Sequence, residues 1–599
     1  MSLRGLLPIL DWARGYTRAA LGADLVAATI VTIMLIPQSL AYAMLAGLPP
    51  HVGLYASMLP LVAYAVFGTS RTLAVGPVAV ISLMTAAAIG EVAGQGIADP
   101  ITAAVTLAAL SGLVLLAMAA LRLGFLANAL SHPVISGFIS ASGILIAAGQ
   151  VKHLLGVPGE GDTMVRIMAG LWNGLPATNL WTFAIGGAAA LFLFWTRGRL
   201  KPALTRLGVP LRAADVATRA APVVAVAASI LAVAVFDLGA AGVKVVGAVP
   251  AGLPSLTLPS LQPDLVVGLL PAAVLIALVG FVESVSVAQT LAARRRQRIA
   301  PNQELVGLGM ANIASAVSGG QPVTGGFARS VVNFDAGAET PLAGAFTAVG
   351  IGVATLLLTP LFFHLPQATL AATIIVAVLS LVDLKAMKRT WRYSKTDFLA
   401  MATTIAGVLL AGVETGIVAG VALSLLQVLW RASRPHVAIV GQVPGTEHFR
   451  NVRRHDVIQS PRVLSVRVDE SLWFANARWL EDLILDLAMA RPGPAHVVLM
   501  CPAVNAIDAS ALESLEMIAD RLDAAGIGFH LSEVKGPVMD ALERSDFFEG
   551  HFRGQVFLSQ QDAMWTLDPQ TFPPPADRAG PVRAFGGGRS GGKPPHRGG

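Results

Sequence analysis

Long apolar stretches recur from about residue 20 to about residue 430 of the chain. A transmembrane helix needs roughly 20 such residues, and we count about fourteen stretches, two of them of half length. Examples are residues 25–45, 101–121, 181–195, 265–291, 342–363 and 401–421, the last with a predicted turn near Glu414. The pattern predicts an α-helical polytopic membrane protein, with a transmembrane domain at residues 20–432 after a short N-terminal segment, residues 1–19.

Two short segments that contain glycine and proline interrupt the apolar pattern, one in each half of this region. The first is Gly76-Pro77, and the second is Pro322-Val323-Thr324-Gly325-Gly326, which runs on to Arg329. Broken helices at matching places in two halves of a transporter point to a binding site near the middle of the bilayer. Their N-termini present unpaired N–H groups and the positive ends of helix dipoles, which suit an anion. The pattern therefore indicates an anion carrier.

The composition fits a membrane protein, since 54% of the 599 residues are hydrophobic and 13% are charged. The net charge is +6, yet the basic residues do not indicate a nucleic-acid site, because they cluster between spans. If the N-terminus is cytoplasmic and the spans alternate, every cluster, including that of Arg197 and Arg199, falls on the cytoplasmic side, as the positive-inside rule requires. Residues 294–298 would then lie near anionic lipid. We expect a bacterial inner-membrane protein with both termini in the cytoplasm.

The sequence changes character after residue 432. Residues 463–468, 496–500 and 528–532 have the pattern of strands, and residues 477–489, 511–524 and 537–544 that of helices. This alternation with short loops predicts a small cytoplasmic α/β domain at residues 433–567. Residues 568–599 are rich in Pro, Gly and Arg and contain too few apolar residues to fold, so we predict a disordered tail.

Other kinds of chemistry lack their motifs. The histidines show no metal-ligand spacing and the single cysteine, Cys501, has no partner thiolate, so we expect neither a metal site nor a disulfide. The sequence contains no GxxxxGK[ST] phosphate loop, and its one GxSxG match, residues 588–592, lies in the Gly-rich tail and does not follow a strand pattern. These observations argue against ATP-driven transport and against hydrolysis. We expect a protein that is not an enzyme and that needs no cofactor.

Several short motifs occur in order along the chain. They are Ile36-Pro37-Gln38-Ser39-Leu40-Ala41-Tyr42-Ala43, Gly47-Leu48-Pro49-Pro50, Gly53-Leu54-Tyr55, Ser70-Arg71, Val75-Gly76-Pro77-Val78, Asn302-Gln303-Glu304-Leu305, Gly326-Phe327-Ala328-Arg329-Ser330 and Asn505-Ala506-Ile507-Asp508-Ala509-Ser510. Over most of its length the chain thus resembles the SulP family of anion transporters, with a C-terminal piece that resembles the STAS domain. The resemblance implies a 7+7 inverted repeat of spans, arranged as core and gate domains, and a homodimer. It also implies half helices in the third and tenth spans that begin near Pro77 and Ser330, with proline suited to a first helical position.

By this resemblance the anion binds between the two half helices, at Pro77, Val78, Ala328, Arg329 and Ser330. Arg329 would supply positive charge, because an arginine at membrane depth is costly and is normally paired or functional. The alternative is a structural salt bridge from Arg329 to a buried carboxylate. Family members often have a serine at the position of Ala328, so an anion here would depend more on backbone donors and on Ser330.

Two polar residues of the first span also face one direction, since Gln38 and Tyr42 lie one helical turn apart. The resemblance places both in the anion pocket, Gln38 as an amide donor and Tyr42 as an aromatic wall. Ordinary helix packing with a satisfied polar group is the alternative.

Glu283 lies well inside the predicted eighth span. Because burial disfavours the charged form of a carboxyl group, we expect Glu283 to take up the proton that accompanies the anion. The alternative is a permanent salt bridge between Glu283 and Arg329. One turn later the chain has Val287, where sodium-coupled relatives tend to have a hydroxyl residue, and this counts against a sodium site.

In the α/β domain, Ser510 matches the serine that is phosphorylated in anti-sigma-factor antagonists. A phosphate there would add up to two negative charges at the start of a helix. The simpler alternative is that Asp508 or Ser510 caps this helix. Regulatory phosphorylation of Ser510 is therefore a hypothesis.

Taken together, these features predict a secondary active transporter that works by alternating access, with sulfate:proton symport as the expected reaction. Transport or exchange of bicarbonate or a dicarboxylate, a passive anion channel, and a membrane sensor with a signalling STAS domain are the alternatives. The expected partners are a small sulfate-like anion, a proton, membrane lipid and a second copy of the chain, but no nucleic acid.

Overall fold

The structure is a computed structural model that describes residues 7–128, 131–159, 161, 163–247, 250, 252–357, 359–490 and 494–575. Residues 576–599, most of the predicted disordered tail, and residues 1–6 of the N-terminal segment lie outside the described residues. The chain divides into two compact units, Met1–Ser424 and Leu425–Gly599. Each unit is built differently.

The first unit is helical, because in a bilayer only a helix satisfies the backbone polar groups of a single apolar segment. Among the described residues, eight helices are long and apolar enough to span a membrane, and three shorter apolar helices accompany them. The helices that precede the second unit's sheet along the chain are α1 (Ile9–Trp12), α2 (Arg18–Leu45), α3 (Pro50–Tyr55), α4 (Leu59–Phe67), α5 (Ala79–Gly94), α6 (Pro100–Ala120), α7 (His132–Leu155), α8 (Met164–Gly174), α9 (Leu180–Trp195), α10 (Lys201–Arg206), α11 (Leu211–Val235), α12 (Pro263–Arg294), α13 (Pro301–Val317), α14 (Phe327–Asp335), α15 (Leu342–Leu357), α16 (Gln367–Leu379), α17 (Leu384–Tyr393), α18 (Lys395–Ala411) and α19 (Val413–Ser433).

Two short extended segments lie at the predicted interruptions. Strand β1 (Val75–Gly76) pairs antiparallel with strand β2 (Thr324–Gly325). Ser284 holds this pair, because its hydroxyl accepts a 2.9 Å hydrogen bond from the Gly325 N–H and lies 2.7 Å from the Thr324 hydroxyl. Extended backbone at this depth is tolerated because it is buried in protein and its polar groups are satisfied.

The half helices that follow begin at other residues than the sequence suggested. The first, α5, begins at Ala79, because Val78 keeps an extended backbone (φ −131°, ψ 153°) and serves as the N-cap residue. Pro77 therefore precedes the helix, and its predicted place at the first helical position was wrong. The second, α14, begins at Phe327, three residues before Ser330, because Gly326 keeps an extended backbone (φ −86°, ψ 126°) after the strand and serves as the N-cap residue.

The turn predicted near Glu414 is confirmed. Helix α18 ends at Ala411, Gly412 takes a positive φ of 99°, and α19 begins at Val413. A Cβ atom at Gly407 would lie 2.7 Å from the Cα of Gly416, which is closer than real contacts allow. Small residues therefore let the two helices approach closely, as is common in membrane proteins.

The second unit contains a six-stranded sheet with the strand order β4-β3-β5-β6-β7-β8. Its strands are β3 (Val437–Gln442), β4 (Phe449–Asn451), β5 (Val463–Val468), β6 (His496–Met500), β7 (Gly528–Ser532) and β8 (Val556–Phe557), and its helices are α20 (Ala477–Ala490), α21 (Ala509–Ala524), α22 (Gly536–Glu543) and α23 (Gln560–Leu567). Strands β5 to β8 are parallel, and β3 is antiparallel to both of its neighbours. The three predicted strands are confirmed, because central parallel strands are continuous apolar runs that stand out in a sequence.

Candidate functional site

A cavity of about 60 Å³ lies where the two half helices meet. Its lining comprises Gln38, Tyr42, Val78, Ala79, Val80, Glu283, Gly326, Phe327, Ala328, Arg329, Ala377, Val378 and Leu381. These residues come from five places: α2, the start of α5, the middle of α12, the start of α14 and the end of α16. Six of the eight membrane-region residues predicted for the site therefore lie around one cavity.

Four polar side chains reach this cavity, those of Gln38, Tyr42, Glu283 and Arg329. Glu283 and Tyr42 are close enough to the guanidinium of Arg329 for an electrostatic interaction with it. Within the part of the chain that the structure describes, none of the four side chains forms a hydrogen bond or an ion pair with protein. Their hydrogen-bonding capacity is thus open to a bound species.

Arg329 is the cationic residue of the cavity lining and is deeply buried, with 2% of its surface exposed. Both terminal nitrogens of its guanidinium are buried without a hydrogen-bond partner among the described residues. No ion pair within 4.0 Å joins Arg329 to Glu283, although both residues are described. The permanent salt bridge considered from the sequence is therefore absent from this structure. A buried guanidinium with open donors is an unusual feature that calls for an anionic partner.

Two glycines make room for this guanidinium, one in each interrupted segment. A Cβ atom at Gly76 would lie 2.8 Å from Nη1 of Arg329, and one at Gly326 would lie 2.7 Å from Nε. The backbone of Gly76 also has a φ of 156°, a conformation that favours glycine. Gly76 and Gly326 therefore fix where the positive charge can sit.

We expect Gly76→Ala to weaken anion binding about tenfold, because the added methyl group pushes the guanidinium out of place and a charged hydrogen bond is worth roughly 1.5–3 kcal/mol. The measurement is equilibrium binding of labelled sulfate to the purified protein. The control is Gly90→Ala in the α5 helix that follows this segment, where a Cβ atom meets nothing within 4 Å. Equal affinities for Gly76→Ala and Gly90→Ala would show that this close approach does not matter.

The two helix starts add backbone donors to the cavity. Neither Val78 nor Gly326 caps its helix with a side chain. Among the described residues, no acceptor meets the N–H groups of Ala79, Val80 and Ala328, all of which line the cavity. Two positive helix ends and one guanidinium thus point into the same small volume.

Helix α14 is held at its other end by Arg295. The guanidinium of Arg295 donates hydrogen bonds to the carbonyl oxygens of Ala338 and Phe334, the latter at 3.0 Å. It also lies 4.5 Å from the centroid of the Phe334 ring. These contacts satisfy carbonyl groups at the C-terminus of the half helix that carries Arg329.

Pro77 and Ser330 do not line the cavity, contrary to the prediction. The Ser330 hydroxyl donates to the Gly326 carbonyl at 2.7 Å and accepts a 3.0 Å hydrogen bond from the Ala74 N–H. It therefore ties the start of α14 to the first extended segment instead of facing an anion.

Sequence reasoning also missed the wall formed by Ala377, Val378 and Leu381, because apolar residues in a span have no mark that sets them apart.

Glu283 lines more than one cavity, which the sequence does not indicate. It also lines a neighbouring cavity of about 10 Å³, whose other residues are all apolar. They are Val134, Ile135, Phe138, Ile139, Val279, Val282 and Ile417. Glu283 therefore stands between the polar cavity and an apolar one.

In the second unit, the helix cap next to Ser510 is Asp508. Its carboxylate accepts hydrogen bonds from the N–H groups of Ala511 at 2.9 Å and Phe474 at 2.8 Å. Ser510 is exposed and takes no part in the cap. Phosphorylation of Ser510 stays a prediction.

Burial raises the pKa of Cys501 to about 12, so its thiol is protonated at neutral pH.

The comparison with known proteins agrees with this architecture. Residues 21–404 match the sulfate permease family, and residues 454–563 match the STAS domain. The chain is 34% identical over 576 residues to sulfate transporter 4.1, chloroplastic, of Arabidopsis thaliana. The aligned region covers 93% of this chain and 82% of that protein. It is 31% identical to high affinity sulfate transporter 2 of Stylosanthes hamata, and that alignment covers 95% of this chain and 88% of that protein.

Two solved structures share the fold. The murine Slc26a9 anion transporter in the inward-facing state has a TM-score of 0.85 at 22% identity, over 94% of each chain. The transmembrane domain of a cyanobacterium bicarbonate transporter, BicA, has a TM-score of 0.58 at 22% identity, over 68% of this chain and 98% of that chain. By its matched length, its fold and its relatives, this integral membrane protein belongs to the sulfate permease family and has a C-terminal STAS domain.

Proposed function

We propose that the chain is a secondary active transporter that carries sulfate together with a proton by alternating access. The observation that supports this most is the buried guanidinium of Arg329, whose terminal nitrogens have no hydrogen-bond partner among the described residues, at the meeting point of two helix N-termini. The relatives named as sulfate transporters support sulfate as the substrate. We further propose that the protein lies in a bacterial inner membrane with both termini in the cytoplasm, and that it forms homodimers.

The charges around the cavity suit a divalent anion accompanied by one proton. The guanidinium contributes one positive charge, and each helix N-terminus contributes roughly half of one, which gives about two in total. An ionised Glu283 would cancel about half of this. A protonated Glu283 leaves a positive charge that matches sulfate, so binding of sulfate and protonation of Glu283 favour each other.

The size of the cavity is compatible with a small oxyanion. About 60 Å³ is open to the centres of water molecules, and one water needs roughly 10–15 Å³ by this measure. The cavity therefore has room for about four to six waters, or for one small anion. The apolar wall of Ala377, Val378 and Leu381 offers no hydrogen bonds, so the donors on the opposite helices determine the orientation of the anion.

Bicarbonate or a dicarboxylate is the second candidate substrate class, and exchange is the second candidate mode. The structural neighbour BicA is described as a bicarbonate transporter. A monovalent anion would need no proton to balance the site, because an ionised Glu283 leaves a net charge of about plus one. A passive channel would show no accumulation against a gradient.

The test is uptake of radiolabelled sulfate into proteoliposomes, with and without an inward proton gradient. We expect accumulation above equilibrium only with the gradient. Equal accumulation of sulfate with and without the proton gradient would exclude proton coupling. Equilibration of sulfate without accumulation would indicate a channel. Failure to take up sulfate, with uptake of bicarbonate by the same vesicles, would contradict sulfate as the substrate.

A further inference from the structure

Arg197 makes a contact that its place in a basic cluster does not explain. It lies in a π-helical turn, Thr196–Leu200, between α9 and α10. Pro202, near the start of α10, has no N–H for the helical ladder, and its ring crowds the carbonyl group four residues earlier, which accounts for the widened turn. Such turns occur frequently at functional sites. From this turn, Nη1 of Arg197 donates a 2.8 Å hydrogen bond to the carbonyl oxygen of Val376.

The acceptor of this bond lies in the last turn of α16, where carbonyl groups run out of helical partners. The N–H of Ser380 bonds the carbonyl of Ala377 at 3.2 Å and does not reach back to Val376. The Val376 carbonyl thus lacks the usual helical bond from the residue four positions later, and Arg197 donates to it. Its positive charge also suits the negative end of the helix dipole.

The end of α16 is the apolar wall of the central cavity. Ala377 and Val378 follow directly after Val376, Leu381 lies two residues beyond the end of α16, and all three line the cavity. We propose that Arg197 is a positioning residue for the anion site, which holds this wall in place and thereby sets the size of the anion that is accepted. This inference rests on the proposed transport function.

The chain offers a matched control for this proposal. Arg199 lies in the same turn, is exposed like Arg197, and forms no hydrogen bond or ion pair with a described residue. Arg197→Gln and Arg199→Gln each remove one positive charge from the same place. A role in membrane orientation alone would therefore affect both variants equally, whereas a role in positioning affects only the first.

The experiment measures sulfate uptake by wild type, Arg197→Gln, Arg197→Lys and Arg199→Gln, with selenate as a larger tetrahedral competitor. For Arg197→Gln we expect a rise in KM for sulfate of about three- to ten-fold and a loss of most of the discrimination against selenate, because small displacements of a binding wall have large effects on positioning. Arg197→Lys should recover part of this, and Arg199→Gln should behave as wild type. Sulfate binding to purified, monodisperse protein separates a change at the site from a loss of folded protein.

The outcomes distinguish this inference from the proposed function. Wild-type KM and selectivity in Arg197→Gln, in vesicles in which the wild type transports sulfate, would overturn the positioning role alone. Equal changes in Arg197→Gln and Arg199→Gln would overturn it as well, in favour of a charge effect. Absence of sulfate transport by the wild type would contradict the proposed function, and the positioning role with it.

Discussion

Replacing Arg329 with alanine is expected to weaken sulfate binding about ten- to hundred-fold, which corresponds to the roughly 1.5–3 kcal/mol of a charged hydrogen bond. The guanidinium is 2% exposed, and its terminal nitrogens have no partner among the described residues. Its interaction energy with an anion is therefore not offset by a protein contact that must first break. Equilibrium binding of labelled sulfate to purified protein measures the effect directly.

The stability of the same variant distinguishes the two roles considered for Arg329. Removing one partner of a buried salt bridge leaves an unpaired charge and typically lowers stability by about 3–5 kcal/mol. Since the structure shows no ion pair between Arg329 and Glu283, we expect the unfolding temperature of Arg329→Ala to stay at or above that of the wild type. A variant that keeps its sulfate affinity but unfolds at a clearly lower temperature would show that Arg329 is structural.

Ser330 provides the contrasting control, one residue further along the helix. Its hydroxyl is buried between the Ala74 N–H and the Gly326 carbonyl. Ser330→Ala should lower stability by about 1–3 kcal/mol, because the buried N–H of Ala74 loses its acceptor, and should change sulfate affinity by less than about threefold. Arg329→Lys should fall between wild type and Arg329→Ala, since lysine keeps the charge but lacks the planar fork of donors.

The sequence located the broken helices but not the residues at which they begin. Glycine and proline mark an interruption within a segment of about five residues, whereas the first helical residue depends on backbone angles that the strand pairing fixes. The N–H of Gly326 bonds the carbonyl of Ala74, which is far away in sequence. No local pattern contains that pairing, and so Pro77 and Ser330 were placed wrongly.

A similar limit applies to the cavity wall and to the smaller strands. Arg329 and Glu283 stand out in the sequence because ionisable residues are rare and costly within apolar spans. The family resemblance is what placed Gln38 and Tyr42 in the pocket. Val378 and Leu381 are as apolar as the residues that face lipid, so their role follows only from the tertiary structure. In the second unit, β8 has two residues, which is too short for any periodic pattern to mark it.

In the proposed symport, we expect Glu283 to be the carboxylate that couples the proton to the anion. It lines the cavity together with Arg329, yet it is tied to no hydrogen-bond donor among the described residues. As pH rises and Glu283 ionises, its negative charge offsets about half of the positive charge of the site. Affinity for sulfate should therefore fall with rising pH in the wild type, and it should do so through this one group.

Glu283→Gln is expected to abolish the stimulation of sulfate uptake by an inward proton gradient, because glutamine mimics the protonated state at every pH. Sulfate binding should remain and should become independent of pH, since the charge of the site no longer changes. The measurement is the ratio of initial uptake rates with and without the gradient, which should fall to about one when coupling is lost. Glu414→Gln, in α19 and outside the cavity lining, is the control and should keep the wild-type ratio. A Glu283→Gln transporter that the proton gradient still drives would place the coupling group elsewhere in the chain.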